Sequence, residues 1–160
     1  MGTVNSLSSM NCAMNRINVG LIGCGFIHNV YHMPAFRSIP EANVVAACAA
    51  TKQKVETFAD RWGIKRRYHG DDGIGQLCAD PEVDLVDIGL PNFLHLPAAR
   101  AASENHKHAI CEKPLARNVK EAEEMLAIVR RYGVIHCYAE NQVFMPQVVK
   151  AKDFIRLHSP

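Results

Sequence analysis

From Arg16 onward the chain alternates short apolar runs with amphipathic stretches, and this alternation limits the available folds more than any other feature. Strands interleaved with helices build a parallel sheet covered on its faces, because each crossover helix returns the chain to the same end of the sheet. The first run, Ile17 to Gly23, is apolar toward both faces, as a central buried strand has to be. Runs at Asn43 to Ala49, Val83 to Gly89, His108 to Glu112 and Val134 to Ala139, with a short one at Arg67 to His69, follow it. The expected fold is α/β, a doubly wound parallel sheet of the Rossmann kind with about six strands.

Helices fill the gaps. One is expected from about Ile27, interrupted by Pro34 and ending near Pro40. Val55, Phe58, Ala59 and Trp62 recur at the spacing of one buried helical face, and Gly63 stands where that helix should stop. Short and long helices are expected around Gly73 to Cys78 and Phe93 to Asn105. Asn118 and Glu121 read as a capping box opening a helix that buries Ala122, Met125, Leu126 and Val129. A last helix places Phe144, Val148, Ala151 and Ile155 on a stripe with no partner in the chain, so a homo-oligomer is expected.

Composition narrows the function. Lys plus Arg total 18 against 16 Asp plus Glu, with no basic run, so neither nucleic acid nor an anionic membrane is expected as a partner. The longest purely apolar run, Val44 to Ala50, falls far short of the roughly 20 residues of a membrane-spanning helix. Six cysteines stand singly, without the paired spacing of a metal site, which fits a reducing, cytoplasmic setting and predicts no metal. Met1 to Asn15 lacks the basic start and apolar stretch of a secretory signal and reads as a flexible polar leader. Residues 16–140 then form the binding domain, and 141–160 begin a linker helix.

The chemistry concentrates at strand ends. Gly23, Cys24, Gly25, Phe26, Ile27 and His28 follow a buried strand and open a helix, the setting in which GxGxxG holds a dinucleotide pyrophosphate. Gly23 permits the tight turn and Gly25 the close backbone approach, while His28 replaces the third glycine. The second strand ends in Ala49 where an acidic residue would bind a free ribose 2′-hydroxyl. With no carboxylate to repel a 2′-phosphate, and with Thr51, Lys52 or Lys54 able to reach one, NADP is favoured over NAD. Leu90, Pro91, Asn92 and His95 follow the next strand, where open α/β sheets place ligands. Glu112, Lys113 and Pro114 end the strand after it, and a lysine held there can transfer a proton.

Taken together, VGLIGCGFIHNVYHMPAF, PNFLHLPAA, HAICEKPLA and YAENQVFMPQVVKAK resemble the Gfo/Idh/MocA family of dinucleotide-dependent oxidoreductases, in the same order and at the same separations. The resemblance implies that the loop matching Gly23 to Ile27 holds the pyrophosphate and that Pro91, Asn92 and His95 lie along the cofactor. It implies further that Lys113 lies beside nicotinamide and substrate, with Glu112 on the nicotinamide side and Asn141 near the carboxamide. A cis bond before Pro114, and a left-handed Asn105 or His106 where relatives have glycine, are also expected. The implied activity is hydride transfer between nicotinamide and a secondary alcohol of a sugar, inositol or similar polyol. Family members add a second, C-terminal substrate domain absent from these 160 residues, so the chain is expected to be catalytically incomplete. Two other readings stay open: a non-catalytic dinucleotide-binding or sensor module, and an S-adenosylmethionine methyltransferase, which the missing acidic residue after the second strand disfavours.

Overall fold

The computed structural model describes residues 16–158, so the leader read over 1–15 lies outside the described residues. Six strands, β1 (Ile17–Ile22), β2 (Ala42–Ala49), β3 (Arg66–His69), β4 (Leu85–Ile88), β5 (His108–Glu112) and β6 (His136–Ala139), pair in the order β3-β2-β1-β4-β5-β6, every pair parallel. The helices are α1 (Met33–Arg37), α2 (Lys52–Trp62), α3 (Gly73–Ala79), α4 (His95–Glu104), α5 (Val119–Tyr132) and α6 (Pro146–His158). The expected doubly wound sheet is therefore present, and the order reverses between β1 and β4, where such sheets open a crevice at their carboxyl ends. No helix among the described residues is long and apolar enough to cross a membrane.

Burial on both sheet faces explains the continuous apolar runs. Val19, Leu21, Ala47 and Ala49 pack with Met33, Val55, Phe58 and Ala59 on one face. Ile22, Ala46, Cys48, Val86 and Ile88 pack with Leu77, Ala98, Ala102 and Met125 on the other. Two helix limits fall as the sequence predicts, with Asn118 Oδ1 accepting the Glu121 N–H at 3.0 Å and Gly63 ending α2 at φ 73°, and Thr51 adds an N-cap to α2 whose Oγ1 accepts the Lys54 N–H at 3.4 Å. His106 takes the left-handed conformation at φ 56°, and the Lys113-Pro114 bond is cis.

Several expectations need correction. Pro34 does not interrupt the first helix. The chain makes a π-helical turn over His28–His32 and runs on into α1, the Met33 N–H reaching back five residues to His28 O, and this wider turn accommodates Pro34, which has no N–H to donate. Leu126 is exposed, and the inner face of α5 is carried by Met125 and Ile128. Phe144 belongs to a 3-10 turn, Asn141–Phe144, ahead of α6, whose described side chains are all uncovered.

Candidate functional site

A cleft of about 600 Å³ opens where β1 and β4 end side by side. Its floor is the loop Gly23, Cys24, Gly25, one wall is Ala49, Ala50 and α2, and the other is Gly89, Leu90 and Pro91. Gly23 turns at φ 111°, its N–H donates to Cys48 O at 2.9 Å, and a Cβ there would lie 2.5 Å from Gly89 O. Only glycine fits that point. A Cβ on Gly25 would meet nothing within 4 Å, so the backbone here is bare toward the cleft and a ligand can reach its N–H groups. A phosphate-sized anion suits this floor.

The structure divides the residues singled out above. Gly23, Gly25, Ala49, Leu90 and Pro91 line the cleft. Phe26 is 71% exposed beyond its edge, and Ile27 packs toward Gly89. Thr51 caps α2, and Lys52 is 3.7 Å from Glu56 on the outer face of α2, so neither side chain lines the cleft. Lys54 and Arg61 do, seven residues apart on one face of α2 with Phe58 between them. Arg61 is absent from the sequence-based expectations, although the helical spacing from Lys54 contains it.

His95 is a correction. Its ring is fully buried, with Nδ1 2.9 Å from Pro114 O and Nε2 2.8 Å from Leu90 O, so no polar atom remains for a ligand. It latches the chain after β4 to the chain after β5. Asn92 is exposed at the start of a 3-10 turn, Asn92–Leu94, and Asn141 is exposed in the turn before α6; neither lines the cleft. Glu112 and Lys113 do stand at the end of β5, but Lys113 is exposed and in no ion pair among the described residues.

Glu112 instead turns inward to a group that sequence alone does not assemble. Asp87, fully buried on β4, has Oδ2 2.6 Å from His32 Nδ1 and 3.3 Å from His28 Nε2, and His32 Nε2 lies 3.1 Å from Glu112 Oε1. Burial opposes charge on Asp87, but the hydrogen bonds and charges of His28 and His32 outweigh it and hold its carboxyl below the usual carboxylate range. Burial likewise opposes protonation of His32, and Asp87 and Glu112 overcome it, so the imidazole sits above its ordinary value.

Four of the described cysteines are packing residues. Burial pushes the thiols of Cys24, Cys78 and Cys111 up to about 12 and that of Cys48 to about 11, while Cys137 is exposed. Maleimide labelling of the folded chain at pH 8 is therefore expected at Cys137 well before these four, and rapid labelling of Cys24 in the glycine loop would contradict the assignment.

Residues 17–140 match the model of an oxidoreductase family with an NAD-binding Rossmann fold. A levoglucosan dehydrogenase of Pseudarthrobacter phenanthrenivorans is 36% identical over 151 residues, covering 89% of this chain and 37% of that protein. A D-apiose dehydrogenase of Paraburkholderia graminis is 32% identical over 142 residues, with the same coverage of 89% and 37%. Among solved structures, KijD10, a 3-ketoreductase from Actinomadura kijaniata in complex with NADP and TDP-benzene, superimposes at TM-score 0.81 with 28% identity, over 89% of this chain and 43% of its own. The chain thus spans about two fifths of the length of the relatives it matches.

Proposed function

The chain belongs to the Gfo/Idh/MocA oxidoreductase family through its NAD(P)-binding Rossmann domain, and on that premise we propose that it is the cofactor half of a dehydrogenase acting on a secondary alcohol of a sugar or similar polyol. The observation that carries the reading is the cleft itself: a bare glycine backbone at the β1–β4 reversal, one strand away from a lysine at the end of β5. The dehydrogenase names of the two curated relatives support the substrate class. When bound, the nicotinamide accepts or returns the hydride.

The chain's own residues do the rest. Gly23 and Gly25 let backbone N–H groups hold the pyrophosphate, and Leu90 and Pro91 form the wall along the dinucleotide. By the family resemblance Asn92 and Asn141, which stand outside the cleft, and Glu112, whose carboxylate is held by His32, are read on the nicotinamide side. Lys113 takes the hydroxyl proton at Nζ as the alcohol is oxidised and returns it in the reverse direction. Further contacts to the polyol are expected from the part of the relatives' length that this chain does not span.

Lys54 and Arg61 on the α2 wall, beside the small neutral pair Ala49 and Ala50, favour NADP over NAD. Fluorescence titration is expected to give tighter binding of NADPH than of NADH. Lys54→Ala or Arg61→Ala should weaken NADPH about tenfold, equivalent to about 1.4 kcal/mol, and leave NADH nearly unchanged. Tighter NADH binding by the wild type removes the preference, and no binding of either removes the oxidoreductase reading. The uncovered Phe144, Phe154, Ile155 and Leu157 favour self-association, which monomeric sedimentation at high concentration would exclude.

A further inference from the structure

Four ionisable side chains outside the cleft stand in one row across the carboxyl ends of β1, β4 and β5. His28 Nδ1–H donates to Gly23 O at 2.5 Å, and His28 Nε2 faces Asp87 Oδ2 at 3.3 Å. The same oxygen accepts His32 Nδ1–H at 2.6 Å, and Glu112 Oε1 accepts His32 Nε2–H at 3.1 Å. Glu112 Oε2 then accepts the Lys113 N–H at 3.0 Å. The row starts at the glycine loop and ends at the main chain of Lys113, two places that β4 keeps apart in the sheet.

Ionised carboxylates only accept, so the His32 ring between Asp87 and Glu112 has to present an N–H on each side. His28, His32 and Asp87 also offer three ligand atoms within 4.8 Å, the dimensions of a cation site. The 2.6 Å contact decides against that use, since two ligands on one tetrahedral ion with bonds of about 2.0–2.1 Å sit roughly 3.4 Å apart. These are hydrogen-bond distances.

We propose that His32 is a positioning residue for Lys113: anchored on Asp87, it holds the Glu112 carboxylate, which fixes the Lys113 N–H where strand β5 ends. The relevance to catalysis rests on the reading of Lys113 as the proton acceptor. Asp87 is fully buried, so the anchor is rigid, and the ring it orients is only 17% exposed. With one oxygen tied to His32 and the other to the Lys113 N–H, the Glu112 side chain loses the rotamer freedom that would otherwise let it turn to water. The titratable groups around the ring are His28 on its own turn, Asp87 on β4 and Glu112 on β5, with Cys111 close enough to feel both carboxylates.

The test uses the full chain, labelled with nitrogen-15 and free of ligand. Both imidazole nitrogens of His32 are expected to be protonated at pH 7, and Glu112→Gln should move the loss of the second proton to lower pH. His32→Ala should speed hydrogen exchange of the Lys113 amide roughly tenfold, with the amides of Leu21 and Val86 unchanged. His32→Gln, which keeps a donor toward Glu112, should restore part of the protection. Should His32→Ala fail to fold, the Glu112→Gln titration and the exchange of Lys113 in that variant decide the proposal in its place. A bare nitrogen on His32 at pH 7, or Lys113 exchange indifferent to both substitutions, overturns the proposal. Because these readouts need no cofactor, a wild type that binds neither NADPH nor NADH sinks the oxidoreductase reading alone. Normal NADPH binding with indifferent Lys113 exchange sinks the positioning role alone.

Discussion

Gly23→Ala is expected to cost the fold about 3 kcal/mol or more and to remove cofactor binding from whatever remains folded. Two effects add. At φ 111° the residue occupies a region that side chains rarely enter, which costs about 1–3 kcal/mol by itself. The new Cβ would also stand 2.5 Å from Gly89 O and 3.1 Å from Gly89 C, and those are backbone atoms at the end of a central strand, with no flexible side chain to yield. Overpacking against them costs about 1–3 kcal/mol more. Gly25→Ala is the control. Its Cβ meets nothing within 4 Å, so the urea midpoint should move by less than about 0.5 kcal/mol equivalent while NADPH binding weakens, because the methyl group occupies ligand space. Equal urea midpoints for Gly23→Ala and wild type would refute the geometry.

Asp87→Ala is expected to destabilise by about 3–5 kcal/mol, the range for removing one partner of a buried charged group. The carboxylate has no exposed surface and stands between two imidazoles, so its loss leaves His32 Nδ1 with no acceptor and His28 Nε2 without the neighbouring charge. The pH dependence distinguishes this from a simple cavity. Asp87 is held below its ordinary 3.8, so its contribution is present above that pH and is lost as pH falls through the lowered value. His32 is held above 6.5, so its contribution is complete below that pH and is lost as pH rises through the raised value. Denaturation of wild type and Asp87→Asn between pH 3 and 9 should therefore differ most from about pH 4 to 6.5 and converge on either side. His136, lowered by burial and then by His95, contributes to both curves and cancels in the difference. A difference independent of pH would leave packing alone as the explanation.

Much of this was legible in the sequence, for a physical reason. Parallel strands buried on both faces leave continuous apolar runs, and caps such as Gly63 and Asn118 act over three or four residues, so local reading finds them. The row from His28 to Glu112 was not legible, because its bonds join residues 55 and 80 positions apart and depend on strand order. His95 shows the same limit from the other side. A histidine at a strand's carboxyl end reads as ligand-binding until Pro114 O and Leu90 O are found to occupy both nitrogens. Arg61 was within reach, since it lies seven residues from Lys54 on a helix already recognised, yet attention to the first turn of α2 passes over it. Leu126 fails for want of a neighbour: an apolar residue on the right side of a helix is buried only if something packs there.

The replacement of the third glycine by His28 has a counterpart in the structure. A Cβ on Gly89 would lie 2.7 Å from His28 Cε1 and 2.8 Å from Ile27 Cγ2, so the bulk gained by the helix is vacated by the strand. Site 89 therefore gives up volume to two neighbours on the helix, and a methyl group there is barred by Ile27 as well as by His28, so a smaller residue at 28 alone relieves only part of the clash.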